Sequence, residues 1–167
     1  LNTALLKTVQ SVLPVGATFE RVDIGNLPLL NSDLEVNGPV DAVKHFKEQL
    51  SKADAFVIAS PEYNFSIPGV LKNALDWASR GKDSPLINKP VAVMGASPGL
   101  LGTARMQMHL RQVFIFNNMH PVNKPEVFIN QSMTKFDTEG NLTDAKSKDT
   151  IRQQMQALYD LTVQLKK

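Results

Sequence analysis

An α/β fold with a parallel sheet and helices on both faces follows from three features of the 167-residue sequence. Short apolar runs of strand length alternate with stretches of helical periodicity. One run, Val91-Ala92-Val93-Met94, is apolar throughout, as in a strand buried on both faces. Turn-rich segments follow two of the runs directly, at the strand ends where open α/β sheets bind ligands.

The chain opens in a helix pattern whose apolar face is Leu5, Val9 and Val12 or Leu13. Pro14-Val15-Gly16 turns it into residues 18–24, which alternate in polarity and predict a strand with one solvated face, at an edge. Residues 25–39, rich in Gly, Pro, Asn and Asp, predict a loop. Within it, residues 26–31 carry an apolar patch that either covers a crevice or tucks against the surface. Residues 40–52 form the next helix, with Val43, Phe46 and Leu50 inward and Lys44, Lys47 and Glu48 outward. Residues 55–59 are a strand. After a turn, Leu71, Leu75 and Ala78 repeat at helical spacing, with Lys72 and Asp76 one turn apart. Pro68 suits the first turn of that helix and Ser66 its N-cap. The strand at 91–94 runs into a loop with Gly95, Gly99 and Gly102, whose lack of side chains permits close backbone approach to a ligand.

Residues 103–117 form a helix with Met106, Leu110, Val113 and Phe114 in one stripe, which Met108, Ile115 and Phe116 widen. One sheet-facing stripe needs fewer apolar residues, so a second buried face at a subunit contact is expected; a thickly covered core is the other reading. Residues 121–131 give the last strand, centred on Val127, Phe128 and Ile129. Residues 144–167 form a long amphipathic helix with Ile151, Met155, Leu158, Thr162 and Leu165 inward, and Lys166 and Lys167 suit its C-terminus.

Composition narrows the function. The length suits one domain, residues 1–167. Net charge is +2 with no basic run, so no nucleic-acid partner is expected, and an anionic cofactor is compatible. With no cysteine, disulfides, thiolate metal sites and thiol redox chemistry are excluded. No segment has transmembrane length and the opening residues lack a signal-peptide pattern, so the cytoplasm is the expected location. His45, His109 and His120 have no metal-ligand spacing, so no metal is expected. Neither a Gly-x-Ser-x-Gly elbow nor a Walker-type phosphate loop occurs.

The turn after residues 55–59 carries Pro61, Glu62, Tyr63, Asn64, Phe65 and Ser66, and lacks Lys, His or Cys to act as a nucleophile. Prolines bracket a polar, aromatic turn whose amides face a crevice, which reads as a cradle for a planar cofactor. A rigid strand-to-helix turn with Tyr63 packed on its own fold is the other reading. The whole stretch, Pro-Glu-Tyr-Asn through Pro-Gly-Val-Leu-Lys-Asn-Ala-Leu-Asp-Trp-Ala-Ser-Arg at residues 61–80, resembles the signature of the NADPH-dependent FMN reductase family, which includes quinone, azo-dye and chromate reductases. The resemblance implies a flavodoxin-like, doubly wound, five-stranded parallel sheet that holds FMN non-covalently in a homodimer or homotetramer. The loop at residues 95–103 is similar to that family's second flavin loop. By this resemblance Ser97, Pro98 and Gly99 join Pro61, Glu62, Tyr63, Asn64 and Phe65 as cofactor contacts. The family's phosphate loop ends in an Asn that corresponds to Asn2. The first strand and the rest of that loop have no counterpart here, so a segment preceding Leu1 in the full polypeptide is expected to supply them.

The implied function is an FMN-dependent NAD(P)H oxidoreductase. A hydride passes from NADPH or NADH to FMN. A small-molecule electron acceptor (a quinone, azo compound, free flavin or metal oxyanion) then takes the nicotinamide's place in a ping-pong scheme. The flavin carries the chemistry and no protein residue acts as nucleophile or base. The rival readings are a flavodoxin-type electron carrier, which the slightly basic charge disfavours, and an interaction protein that has lost FMN.

Overall fold

A computed structural model describes residues 1–36, 38 and 40–166. Its sheet is built around one strand. β2 (Pro90–Ala96) is buried at every position and pairs in parallel with β1 (Phe56–Ala59) on one side. The register sets Phe56 opposite Val91 and Ala59 opposite Met94. On the other side two short strands share its length. β3 (His120–Pro121) pairs with Pro90 and Val91, and β4 (Val127–Ile129) with Met94 to Ala96.

The all-apolar sequence of β2 is explained by what lies above and below it. Val91 and Val93 point into a core with Phe46, Leu50, Leu71, Leu75, Met106, Leu110 and Phe114. These come from α3 (Asp41–Ser51), α4 (Gly69–Ser79) and α5 (Ala104–Phe116). Ala92, Met94 and Ala96 point the other way, into a core with Leu5, Val9, Ile151, Met155 and Leu158. These belong to α1 (Asn2–Ser11) and α6 (Ala145–Leu165). Alternate residues of one strand thus serve two helical layers, and the expected α/β architecture with both faces covered is observed.

The outer edge of β2 is interrupted between β3 and β4, where Pro125 has no N–H to donate to a ladder. Gln154 of α6, almost fully buried, bridges the interruption. Its Nε2 donates to Val93 O at 3.1 Å and to Pro125 O at 3.0 Å. At the start of α6, Asp144 caps the helix by accepting from Ser147 N at 2.8 Å. Hydrogen bonding from Ser147, through its hydroxyl first and its N–H second, lowers the Asp144 pKa from its ordinary value.

Several expectations are corrected. Residues 18–24 form no strand. Their alternation is real, since Phe19, Val22 and Ile24 are half-buried while Thr18, Glu20, Arg21 and Asp23 are exposed. A ladder needs a neighbour, however, and across from them lies a groove of about 760 Å³ lined by Phe19, Val22, Ile24, Phe56, Val57 and Ile58. The sheet has four strands among the described residues. The loop expected at residues 25–39 contains a short helix, α2 (Ser32–Val36), and its Asn37 and Pro39 lie outside the described residues. Leu165 is exposed rather than inward. Lys166 pairs with Asp54 at 2.8 Å, and Lys167 lies outside the described residues. No helix among the described residues is long and apolar enough to cross a membrane.

Candidate flavin site

Two loops leave the carboxyl ends of the adjacent parallel strands β1 and β2 and face a common rim. The first runs from Pro61 to Pro68. Its tip is a tight two-residue turn in which Tyr63 N donates to Ser66 O at 3.2 Å and Ser66 N to Tyr63 O at 2.9 Å. The corner residues Asn64 and Phe65 have φ of 51° and 64°, the left-handed pair that such a turn requires. Asn tolerates this conformation; a bulky aromatic rarely adopts it, at a cost of about 1–3 kcal/mol. A cation–π contact offsets part of that strain. The Arg105 guanidinium lies 3.8 Å from the centroid of the Phe65 ring. Tyr63 and Phe65 are 61% and 64% exposed, so both present open aromatic surface, and Tyr63 is not packed on its own fold.

Ser66 does not cap α4. The helix begins at Gly69 with Pro68 as N-cap and no side-chain cap, and Ser66 Oγ is instead 3.0 Å from His109 Nδ1 on α5. Much of the signature in α4 is scaffold. Trp77 Nε1 and Asn73 Nδ2 both donate to Pro28 O, at 2.7 and 3.0 Å, and Asn73 Oδ1 accepts from Leu30 N at 2.8 Å. These three bonds tuck the apolar loop at residues 26–31 against α4. Lys72 pairs with Asp76 at 2.6 Å. Arg80 makes a two-point pair with Glu35, which lowers the glutamate's pKa and raises the arginine's.

The second loop, residues 97–103, is held through its backbone. Ser97 N donates to Ile129 O at 3.0 Å, Ser132 N to Ser97 O at 3.1 Å and Gln131 N to Gly99 O at 3.0 Å. The three glycines do different work. A Cβ on Gly95 would lie 2.0 Å from Thr103 Oγ1 and 2.5 Å from Ser60 O, so that glycine is required by the protein's own packing. Gly102 has φ of 53° and would bring a Cβ within 2.8 Å of the Phe128 backbone. Gly99 is the open one, since a Cβ there would meet only Ser97 Oγ at 3.9 Å. The expectation that all three glycines make room for a ligand therefore narrows to Gly99.

Of the expected residues, Pro61 opens the first loop directly after β1 and Ser60, and the others fall into two groups. Tyr63, Asn64, Phe65, Ser97, Pro98 and Gly99 occupy the two loop tips. Asn2 and Glu62 have their side chains engaged with protein. Asn2 Oδ1 accepts from Ala96 N at 2.9 Å and its Nδ2 donates to Ala96 O at 3.3 Å, which fixes the start of α1 beside the end of β2. Glu62 Oε2 accepts from Met106 N at 3.0 Å. A flavin mononucleotide fits this chemistry. The helix N-terminus of α1 suits a phosphate, and the polar turn amides with two open aromatic rings suit a flat heterocycle. Arg105, His109, Gln131 and Ser132 support the loops and were not singled out from the sequence. Their signal is tertiary, since Ser66 and His109 lie 43 residues apart.

Comparisons with known proteins show the family. The model of the family described as NADPH-dependent FMN reductase matches residues 1–134. The NAD(P)H-dependent FMN reductase PA1204 of Pseudomonas aeruginosa is 48% identical over 157 residues, covering 94% of this chain and 85% of that protein. An NADPH:quinone oxidoreductase of Arabidopsis thaliana is 44% identical over 168 residues, covering 99% and 84%. Among solved structures, the flavoenzyme NAD(P)H:(acceptor) oxidoreductase FerB of Paracoccus denitrificans superposes with a TM-score of 0.87 at 32% identity, covering 98% of this chain and 90% of that one. The fold is accordingly flavodoxin-like.

Proposed function

The chain belongs to the NADPH-dependent FMN reductase family, and from that premise we propose that FMN lies across the two loop tips and serves a quinone reductase. It is an oxidoreductase that uses FMN with NAD(P)H as electron donor. The observation that carries the proposed site is the convergence of three elements on the end of β2: the Pro61–Pro68 loop, the Ser97–Gly102 loop and the start of α1, the last fixed by the paired bonds of Asn2 with Ala96.

Tyr63, Asn64 and Phe65 border the flavin ring on one side, with Ser97, Pro98 and Gly99 on the other, and Pro61 fixes the entry of the first loop. Backbone amides at the loop tips face the ring's polar edge, where negative charge develops on reduction. Asn2 acts by holding the α1 N-terminus against β2, where the phosphate is received. Bound FMN supplies two-electron transfer, taking hydride from NAD(P)H and delivering it to the acceptor. The overall reaction is NAD(P)H + H⁺ + quinone → NAD(P)⁺ + hydroquinone. A quinone acceptor is supported by the relatives' names, among them the Arabidopsis enzyme and a 2-hydroxy-1,4-benzoquinone reductase of Burkholderia. Donor and acceptor use the same open aromatic face in turn, hence a ping-pong order.

The same reading makes residues 1–167 one FMN-binding domain acting in the cytoplasm. It makes a second copy the cover for α5, on which Ile115 and Phe116 are 77% and 80% exposed and Met108 is exposed beside them.

The test is an absorption spectrum of protein mixed with FMN, desalted, and titrated with NADPH without oxygen. A retained yellow band that bleaches, and returns on adding benzoquinone, is the expected result. A band that persists through the titration would indicate a carrier, and loss of the band on desalting would remove the flavin site. Parallel double-reciprocal plots with varied quinone check the ping-pong order.

A further inference from the structure

Helix α5 starts directly after the second loop, and it starts badly. Its N-cap, Thr103, sits at φ 74° and makes no side-chain cap. Thr103 Oγ1 accepts from Gln107 Nε2 at 3.3 Å instead. The first-turn N–H groups of a helix need acceptors, and the positive end of the helix dipole favours an anionic one. Here the acceptor comes from 44 residues away: Glu62 Oε2 takes the Met106 N–H at 3.0 Å. The Glu62 side chain is only 12% exposed, and its Oε1 lies 3.6 Å from Arg105 Nη1.

We propose that Glu62 is a positioning residue: by capping α5 it locks the two loops of the flavin site into one rigid rim. Two further contacts join the same elements. Arg105 covers the Phe65 ring, and His109 meets Ser66, one turn further along α5. The first loop is therefore fastened to the first two turns of α5 at Glu62, Phe65 and Ser66. Because the second loop runs without interruption into that helix, any displacement of the first loop is carried to residues 97–103. The inference rests on the reading that FMN spans both loops, and it assigns Glu62 a role in their spacing rather than a contact with the ring.

The experiment compares wild type with Glu62→Gln and Glu62→Ala. Glutamine keeps a carbonyl oxygen for the Met106 N–H, whereas alanine removes the acceptor. Three quantities are read: amide exchange at Met106 and across residues 97–101 without cofactor, the FMN dissociation constant, and kcat against KM for benzoquinone. In Glu62→Ala, exchange should accelerate both at Met106 and across residues 97–101. FMN should bind about fivefold more weakly, the ratio that losing one helix cap of ordinary strength gives. KM should rise more than kcat falls. Glu62→Gln, which keeps the acceptor and loses the charge, should fall between wild type and Glu62→Ala. Faster exchange confined to Met106 would make Glu62 a local cap and overturn the proposal. Equal loss of FMN in both variants with Met106 exchange unchanged would make it a direct ligand and also overturn it. Should the alanine variant not fold, Glu62→Asp, one methylene short of Met106, carries the same comparison. Failure of the wild type to retain FMN would overturn the flavin site alone, because loop coupling is read from exchange in its absence.

Discussion

The two loops of the site lie at neighbouring strand ends and are built on opposite principles. The first is shaped by side chains. Its corner places Asn64 and Phe65 in the left-handed region, and Arg105, His109 and the Glu62 carboxylate hold it there. The second is shaped by backbone, with Ser97 and Gly99 bonded to the main chain of residues 129–132 and two glycines closing contacts that admit no side chain. A loop of the first kind should respond to loss of side-chain atoms, and one of the second kind to their addition.

The largest effect is expected at Gly95, the β2 residue against which Thr103 at the end of the second loop packs. Gly95→Ala must displace Thr103 or the Ser60 carbonyl, and it should destabilise the protein by about 3 kcal/mol or more, beyond ordinary overpacking. Thermal unfolding measures it, and a loss under ~1 kcal/mol would show that the backbone yields more readily than its contacts imply. At Asn64 the comparison is sharpened by paired variants. Asn64→Gly keeps the turn and loses the amide, while Asn64→Ala also strains the corner by roughly 1 kcal/mol. If the side chain anchors FMN, both should weaken flavin retention severalfold; if only the turn matters, glycine should retain it as wild type does.

Phe65→Gly removes strain worth about 1–2 kcal/mol and a cation–π contact worth about 0.5–1 kcal/mol, so its stability should be unchanged or slightly raised. Quinone turnover should nonetheless fall, because an open aromatic wall is lost. A clear drop in melting temperature would mean that the Phe65 contacts outweigh its strain. The smallest stability change belongs to Gly99→Val, within roughly 0.5 kcal/mol at a position with open space. Flavin content should fall despite a normal melting curve, and normal flavin content would move the cofactor away from the second loop.

The same contrast explains what was legible in the sequence. β2, the inward faces of α3 and α4, and both loops were readable because each depends on local periodicity or on glycine and proline at fixed offsets. The face assignment of β2 followed from its unbroken apolar run. Residues 18–24 misled because alternation reports a half-buried face and says nothing of whether a neighbour completes the ladder. Ser66 misled as a cap because its hydroxyl has a competing partner, His109, that only the folded chain brings near. α2 is a five-residue helix, too short for periodicity to register. In the site, the two loops were legible as neighbours at adjacent strand ends, whereas the bonds that engage the Asn2 and Glu62 side chains with backbone groups were not. A carboxylate or amide in a motif looks like a ligand contact until the backbone group it satisfies is known.

The interrupted edge of the sheet bears on how the protein can associate. β3 has two residues and β4 three, with Pro121 and Pro125 near them and Gln154 already holding the carbonyls at the break. That border offers no continuous row of donors and acceptors on which a foreign strand could template itself. Addition of a foreign strand is therefore disfavoured at this side of the sheet, and the proposed contact of a second copy through α5 does not depend on it.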